Sequence, residues 1–592
     1  MASVNDTMQR VLIANRGEIA VRVIRACREL GIEPVAIYGE GEENALHVRE
    51  AADAYRIPPG AGLPYLDIPA IVDIAKRAGV QAVHPGYGFL AENAAFAEAV
   101  EAAGLIFVGP PAAAIQAMGD KVEARRIAIA AGVPVVPGSE GPVESVDAAR
   151  EWADANGYPV AVKAAGGGGG RGFRVARTPD DLAEAFLGSS GEAKRYFGNP
   201  TVYLERYLER PRHIEIQIFA DAHGHVLALG ERDCSLQRRH QKLVEETPSP
   251  AVTPEQRAGL FEAAVALARA VDYRGAGTCE FLLADDGRFY FLEMNTRIQV
   301  EHTVTEEVTG LDLVKEQFRV AAGEPLSFTE QDIQPRGHAI ECRINAEDAG
   351  NDFKPAPGIV VRYRPPGGPG VRVDSAMEDG AAILPLYDSL IAKLIVWGRD
   401  RSEALDRMRR ALEEFEVDGV PTTIPFHLRV VTNPDFADHG PTTAFLPEHP
   451  EVIPPPSAIT AAPETADHHL QDVLVEVNGR RLTVRLPENL VATAPATATR
   501  PRNGSPQRPR PSIGTTKPAN ADSVELPSPI QGTVIRIAAQ EGGQVTKGDL
   551  ICVVEAMKME NEIVAHRDGT IASLPIQMGD AVKIGAVLAT IE

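Results

Sequence analysis

The strongest constraint on the fold is an internal repeat near the C-terminus. Residues 531–555 and 568–592 align without a gap at an offset of 37. Gly532, Thr533, Gly542, Val545, Gly548 and Glu555 of the first copy match Gly569, Thr570, Gly579, Val582, Gly585 and Glu592 of the second. Two copies of alternating apolar runs and glycine turns predict a small, quasi-symmetric double β-layer. The connection between the copies carries Glu555-Ala556-Met557-Lys558-Met559-Glu560. A lysine at an exposed hairpin tip between two methionines reads as a modification site. The bland alternative is an ordinary surface lysine.

The N-terminal part has a different rhythm. Residues 10–30 read as a buried strand, a glycine turn and a helix, with Ile19, Val23, Ile24 and Cys27 at helical spacing. A strand at Pro34–Tyr38, a helix over 68–78, a strand at Gln81–His84 and the turn Pro85-Gly86-Tyr87-Gly88 follow. Strand and helix alternate to about residue 115, which predicts an α/β layer with a mostly parallel sheet. Neither GxGxxG nor GxxxxGK[ST] occurs in it, so a dinucleotide or P-loop assignment has no support.

The strand Pro159–Lys163 runs into five consecutive glycines, Gly166 to Gly170, and then Arg171-Gly172. Such a loop suits closure over a ligand, with backbone N–H groups offered to anionic oxygens. Lys163 before the loop and Lys121 at the start of a helical stretch are candidate phosphate cations. From the glycines alone, a flexible linker explains the run equally well.

A sharper signal lies at 276–301. Thr278–Leu283 and Arg288–Glu293 are strand-like runs around Ala284-Asp285-Asp286-Gly287. A two-residue Asp286-Gly287 loop would pair Asp285 with Arg288, and that register carries Glu280 opposite Glu293. Two carboxylates facing each other repel, so a cation between them is expected, with hard-cation logic favouring Mg2+. If the chain stays extended beyond Glu293, then Glu293, Asn295, Arg297, Gln299 and Glu301 share one side. An amphipathic edge strand explains the alternation but not the acidic pair.

The net charge is −23, which argues against nucleic acid or an anionic membrane as partner, since each requires a basic face. The five cysteines are scattered, without CxxC spacing, so neither a disulfide framework nor a zinc site is expected. The N-terminus lacks a signal-peptide pattern and no apolar run reaches the ~20 residues of a bilayer span, so a cytosolic protein is expected.

Residues from about 525 to 592 resemble biotinyl carrier domains, with Ala556-Met557-Lys558-Met559 as the attachment motif. Lipoyl carriers share the symmetry, but the two methionines favour biotin. From about residue 8 to 447 the chain is similar to biotin carboxylase, an enzyme of the ATP-grasp fold. The stretches that carry this are Ala14–Ala20, His84–Leu90, Gly166–Gly172, Arg232-Asp233-Cys234-Ser235, Gln237–Lys242, Glu293–Glu301 and Glu341-Cys342-Arg343-Ile344-Asn345.

The resemblance implies a fold and a set of roles. The expected architecture is an N-terminal α/β domain (1–115), an ATP-grasp domain (116–334) and a biotin carboxylase C-terminal domain (335–447). A β-hairpin segment (448–487), a linker (488–522) and an all-β biotinyl domain (523–592) follow. ATP would be held by Lys121, Lys163, Gly168, Gly169 and Gly170 at its phosphates. Glu205, with the backbone near Arg206 and Leu208, would face the adenine, and His213, Gln237 and His240 would line the nucleotide site. Glu280, Glu293 and Asn295 would bind Mg2+, with Mn2+ as substitute. Lys242 and Arg297 would hold bicarbonate, Glu301 would take its proton, and Arg343 would stabilise charge developing on biotin. Lys558 would carry the biotin. Three departures stand out: Phe173 where methionine is usual, Thr303 where proline is usual, and Thr247-Pro248-Ser249-Pro250 in place of repeated alanine-proline pairs.

The hairpin within 448–487 reads either as a plain stabilising element or as a docking element for a partner. The linker holds six prolines and five Arg or Lys. Its r.m.s. reach is roughly 30–35 Å, enough to let a tethered biotin visit separate active sites. No stretch is left for a carboxyltransferase of several hundred residues, so the resemblance implies a β subunit on another polypeptide within a large hetero-oligomer. It also implies a transient encounter with biotin protein ligase. The layout resembles that of acyl-CoA carboxylases, which implies acetyl-CoA or propionyl-CoA as acceptor. A pyruvate or urea carboxylase component, an unrelated ATP-grasp ligase and a scaffold with an inactive carboxylase half are the alternatives.

Overall fold

The computed structural model describes residues 4–60, 63–139, 141–164, 173–197, 200–458, 470–477, 480–487, 524–528, 532–556, 559–578, 580–582 and 585–592. Two compact units divide the chain, residues 1–461 and 462–592. Among the described residues no helix is long and apolar enough to cross a membrane.

The first unit opens with the expected α/β layer. It comprises β1 (Arg10–Ile13), α1 (Gly17–Glu29), β2 (Glu33–Tyr38), β3 (Asp53–Arg56), α2 (Ile68–Arg77), β4 (Ala82–His84), α3 (Ala94–Ala102) and β5 (Ile106–Phe107). The strands form one parallel sheet in the order β3-β2-β1-β4-β5. Val11, Leu12 and Ile13 are fully buried, as expected of a strand covered on both faces. The helix starts are specified locally: Asp67 accepts from the Ala70 N–H at α2, and Asn93 accepts from the Phe96 N–H at α3.

Next come α4 (Lys121–Ala130) and a three-stranded antiparallel sheet of β6 (Val160–Ala164), β7 (Phe173–Ala176) and β8 (Val202–Arg206), in the order β7-β6-β8. The glycine run, with Gly168, Gly169 and Gly170, lies outside the described residues.

The centre of the unit is an eight-stranded antiparallel sheet. Its strands are β9 (Arg212–Ala220), β10 (Val226–Arg238), β11 (Gln241–Thr247), β12 (Gly275–Leu283), β13 (Phe289–Asn295), β14 (His338–Asn345), β15 (Val371–Ser375) and β16 (Leu390–Gly398). Their spatial order is β13-β12-β9-β10-β11-β14-β16-β15. Strands on both sides of the expected boundary near residue 335 thus share one hydrogen-bonded sheet. The helix α5 (Pro254–Ala270), opened by a Thr253/Gln256 capping box, packs Leu260, Ala264 and Leu267 with Ile214, Ile216 and Phe281 of that sheet.

The hairpin β12–β13 corrects the expected turn. Ala284 N–H donates to Arg288 O at 2.8 Å, so the connection is the three residues Asp285-Asp286-Gly287, with Gly287 at φ +82°. A left-handed glycine closing a three-residue loop is a common hairpin solution. Leu283 then pairs with Phe289 and Phe281 with Phe291, one step away from the expected register. A bulge at Leu292 restores the step, and Glu280 stands opposite Glu293. The extended run does not continue to Glu301 as expected: β13 ends at Asn295, and the chain bends before the helix α6 (His302–Thr309).

In the second unit, β17 (Leu470–Val477) pairs with β18 (Arg480–Pro487) through Val477 and Arg480. The repeat gives β19 (Glu525–Pro527), β20 (Gly532–Ile537), β21 (Gln544–Val545), β22 (Leu550–Ala556), β23 (Met559–Val564), β24 (Gly569–Ser573), β25 (Ala581–Val582) and β26 (Val587–Ile591). Two four-stranded sheets form, β19-β26-β24-β21 and β23-β22-β20-β25. The 37-residue offset carries β20 onto β24, β21 onto β25 and β22 onto β26, so each copy contributes strands to both sheets. Val534, Ile551, Val554, Ile571, Leu588 and Ile591 form the core between them. The paired glycines Gly548 and Gly585 have φ +101° and +82°, a left-handed backbone that side chains with a Cβ disfavour.

Candidate active site

The central sheet assembles a ladder of carboxylates. Glu280 on β12 pairs in register with Glu215 on β9 and with Glu293 on β13. Glu215 and Glu280 are buried and Glu293 is half-buried. Lys242, projecting from β11, enters this acidic row. Its Nζ donates to Glu215 Oε2 at 2.6 Å, to Glu280 Oε1 at 2.8 Å and to Glu301 Oε1 at 2.7 Å. Burial works to lower the lysine pKa, but Glu215, Glu280 and Glu301 outweigh it and hold the ammonium charged.

Other groups converge on Glu280. His213 Nε2 lies 3.0 Å from Glu280 Oε2. The Asn295 amide donates to Glu280 Oε1 at 2.9 Å and the Gln299 amide donates to the same oxygen at 3.1 Å. Arg297 is braced by Glu92 at 2.8 Å, Asn295 at 3.1 Å and Gln299 at 3.2 Å. The polar residues after Glu293 therefore meet at one place through a chain bend, not through an extended strand.

Glu301, fully buried, sits between two cations. Its Oε1 accepts from Lys242, and its Oε2 accepts from Arg343 Nη2 at 2.9 Å. Burial opposes ionisation, yet Lys242, Arg343 and Arg232 hold the carboxyl well below its usual range.

The expected nucleotide residues occupy neighbouring elements. Lys121 is the first residue of α4, whose N-cap Asp120 accepts from the Val122 and Glu123 N–H groups. Lys163 on β6 is hydrogen-bonded to Glu205 on β8, and Arg125 Nη1 lies 3.6 Å from the same carboxylate. Arg206 is exposed and Leu208 half-buried. The Gln237 amide donates to Cys234 O at 2.8 Å. His240 is exposed in the tight turn between β10 and β11, with Arg239 and His240 at φ +48° and +66°. Its pKa is lowered, first by partial burial and then by His213, Lys163 and Lys121.

The donors of the acidic ladder match the needs of a divalent cation. The ligand atoms of His213, Glu215 and Glu280 lie within 4.8 Å of one another and all three residues are buried. Burial and then Glu280 raise the pKa of Glu293, the sign of two carboxylates competing for one compensating charge. Carboxylate oxygens suit a hard cation such as Mg2+, and the facing pair Glu280 and Glu293 fits the ion.

Sequence reasoning missed several members of the cluster. Arg232, fully buried, is hydrogen-bonded to Glu215, and donates to Gln217 at 2.7 Å, Thr305 at 2.9 Å and Thr278 at 3.2 Å. Glu215 was legible in principle, because His213, Glu215 and Gln217 alternate with isoleucines along β9. Glu92, in the turn before α3, and Glu245, on β11, carry no local signal. Of the departures, Thr303 is buried and its hydroxyl donates to Glu341. Phe173 opens β7 with its ring centroid 6.2 Å from that of Tyr207. Ser249 donates to Asp233 at 2.8 Å.

The attachment lysine Lys558 lies outside the described residues, as does Met557. The strands flanking them in sequence, β22 and β23, pair through Ala556 and Met559.

Four family descriptions match in succession. They are "Biotin carboxylase, N-terminal domain" over residues 7–115, "Carbamoyl-phosphate synthase L chain, ATP binding domain" over 120–329, "Biotin carboxylase C-terminal domain" over 341–448 and "Biotin-requiring enzyme" over 524–591. The biotin-dependent acyl-coenzyme A carboxylase alpha3 subunit of Mycobacterium leprae is 48% identical over 597 residues, 99% of each chain. A pyruvate carboxylase subunit of Methanothermobacter thermautotrophicus is 54% identical over 441 residues, 74% of this chain and 90% of that one. A crystal structure of the biotin carboxylase domain of Hydrogenobacter thermophilus 2-oxoglutarate carboxylase, in complex with MgADP, ADP and bicarbonate, superposes with a TM-score of 0.72. It is 50% identical and covers 76% of this chain and 99% of that one. Sheet, carboxylate ladder, strand repeat and full-length similarity agree: the chain belongs to the biotin-dependent acyl-coenzyme A carboxylase alpha subunits, a biotin carboxylase followed in one polypeptide by a biotinyl domain.

Proposed function

We propose that this chain uses ATP and bicarbonate to carboxylate biotin carried on Lys558, for transfer to acetyl-CoA or propionyl-CoA by a carboxyltransferase β subunit on a separate chain. The observation that carries this reading is the place of Glu301, a buried carboxylate held by Lys242 at 2.7 Å and Arg343 at 2.9 Å beside the Glu280–Glu293 pair.

Bicarbonate is a weak nucleophile whose negative charge must approach a more negative triphosphate. Lys242 and Arg297 hold and orient the anion, while Lys121, Lys163 and His213 offset phosphate charge. Mg2+ on Glu280, Glu293 and Asn295, when bound, neutralises phosphate oxygens and orients the in-line attack. Glu301 accepts the bicarbonate proton. Its proton affinity is suppressed while Lys242 and Arg343 both donate to it, and it rises as bicarbonate draws Lys242 away. The oxygen freed of its proton attacks the γ-phosphorus and ADP leaves, giving carboxyphosphate. Breakdown of carboxyphosphate releases CO2 and phosphate, and the phosphate is a base of suitable strength. Biotin would supply a ureido nitrogen whose N–H proton passes to that phosphate as the nitrogen bonds to the carbon of CO2. Arg343, hydrogen-bonded to Glu301, would stabilise the negative charge that develops on biotin when its ring nitrogen is deprotonated.

A partner on another chain is consistent with the four matched segments, which leave only residues 449–523 between the carboxylase and biotinyl parts. Attachment of biotin calls for a transient biotin protein ligase. We place the protein in the cytoplasm, a reading supported by five free, buried cysteines. The similarity to a pyruvate carboxylase component favours a second acceptor, pyruvate. That match covers 74% of the chain, whereas the acyl-CoA carboxylase match covers 99%.

The test is ATP hydrolysis by the purified chain with free biotin, with and without bicarbonate. Hydrolysis that requires bicarbonate is expected. ATP turnover indifferent to bicarbonate would overturn the reading.

A further inference from the structure

Behind Arg343 the sheet brings a second pair of carboxylates together. Glu245 on β11 and Glu341 on β14 are register partners, so both side chains leave the same face of adjacent strands. Both residues are fully buried. Arg343 Nε donates to Glu245 Oε1 at 2.6 Å, and the Thr303 hydroxyl donates to Glu341 Oε2. The other two oxygens, Glu245 Oε2 and Glu341 Oε1, find no hydrogen-bond partner among the described residues.

The charges around the pair do not neutralise both members. From β14 comes Arg343, already shared between Glu245 and Glu301. From β11 comes Lys242, committed to Glu215, Glu280 and Glu301. From β16 comes Lys393, opposite Arg343 in register, with Nζ 3.3 Å from Glu18 and 3.9 Å from Asp374. Glu301, ahead of α6, adds a further negative charge. Two adjacent buried carboxylates cannot both ionise at low cost when Arg343 is shared with Glu301 and Lys393, the main cation acting on Glu341, is divided with Glu18 and Asp374.

Resting on the proposed function, we infer that Glu245 and Glu341 share one proton, a carboxylic acid–carboxylate pair that keeps the charge of Arg343 available to the reaction. Each carboxyl has one oxygen without a partner, on the face the two strands share, where a proton can be held. The electrostatics agree: burial first, with Glu341 and Glu301 adding, raises Glu245, and burial with Glu301 raises Glu341 against the pull of Lys393 and Arg343. The proton belongs to the pair and not to either residue. Its loss at alkaline pH places a second negative charge beside Arg343 and weakens the cation proposed to stabilise charge on biotin. Glu245 and Glu341 are thus positioning residues acting through Arg343.

Infrared spectroscopy on the full chain counts carboxylic-acid C=O stretches directly. At neutral pH, Glu245→Gln and Glu341→Gln are each expected to show one carboxylic acid fewer than the wild type, because the remaining carboxylate then has its donors to itself. An unchanged count in either folded variant would overturn the inference. Thr303→Val is the milder variant, since it removes only the hydroxyl that favours ionised Glu341. It is expected to move the alkaline limb of kcat for free-biotin carboxylation upward by roughly half a pH unit or more, with KM for ATP and bicarbonate unchanged. An unmoved limb would also overturn it. Failure of the folded wild type to carboxylate free biotin would instead defeat the proposed function and leave the infrared count to stand by itself.

Discussion

Glu280 stands opposite Glu293 because a bulge at Leu292 offsets the extra residue in the turn that joins their strands. Without the bulge, Glu280 would face Leu292 and Glu293 would leave the other face of the sheet. The bulge therefore sets the carboxylate pair at the head of the acidic ladder. Replacing Glu280 with alanine removes one carboxylate and the acceptor of Asn295, Gln299 and Lys242. Glu280→Ala is expected to raise the Mg2+ concentration for half-maximal ATP hydrolysis by about tenfold or more. A magnesium titration superimposable on the wild type would remove the basis for the metal assignment.

Glu301 is the base in the proposed chemistry, and its position between Lys242 and Arg343 keeps it ionised. Glu301→Gln keeps the shape but cannot take a proton. Bicarbonate-dependent hydrolysis is expected to fall by about a hundredfold or more, with KM for ATP little changed. Steady-state kinetics at saturating Mg2+ checks this; a KM effect without a kcat effect would assign Glu301 to binding alone.

Lys558→Ala separates the two parts of the chain. It is expected to abolish acyl-CoA carboxylation in the presence of the carboxyltransferase while carboxylation of free biotin continues. Incorporation of labelled bicarbonate into each product measures both. Loss of both activities in a folded variant would mean that the carboxylase half depends on the carrier.

Glu246 makes the first unit sensitive to acid. Burial opposes its ionisation, but hydrogen bonds from His338 at 2.8 Å and Arg401 at 2.6 Å hold its pKa at about 2, against 4.5 for the free side chain. A depressed carboxyl stabilises the fold above the unfolded pKa, and the contribution is lost as pH falls from about 4.5 through about 2. The contribution at neutral pH is roughly 3 kcal/mol. Glu246→Gln is expected to lower the unfolding midpoint at pH 7 and to flatten the acid dependence in that window. Denaturant melts at several pH values would expose an error as two parallel curves.

Features that repeat over short distances are written in the amino-acid order. The 37-residue offset specifies which strands correspond in the two β-sheets of the second unit, because period and turn glycines are local. Alternation along 293–301 marks the right polar residues, although the chain bends after Asn295. The pairing of Glu280 with Glu293 was legible, but through two compensating errors: a loop one residue longer than expected and a bulge that restores the step. Which cation meets which anion is settled by the three-dimensional fold. Lys242 joins Glu215, Glu280 and Glu301, residues 27, 38 and 59 positions away. Arg297 meets Glu92 at a separation of 205, and Glu245 meets Glu341 across neighbouring strands. Periodicity reports which face of an element is buried. The register between distant strands, together with the need to compensate every buried charge, selects the partners.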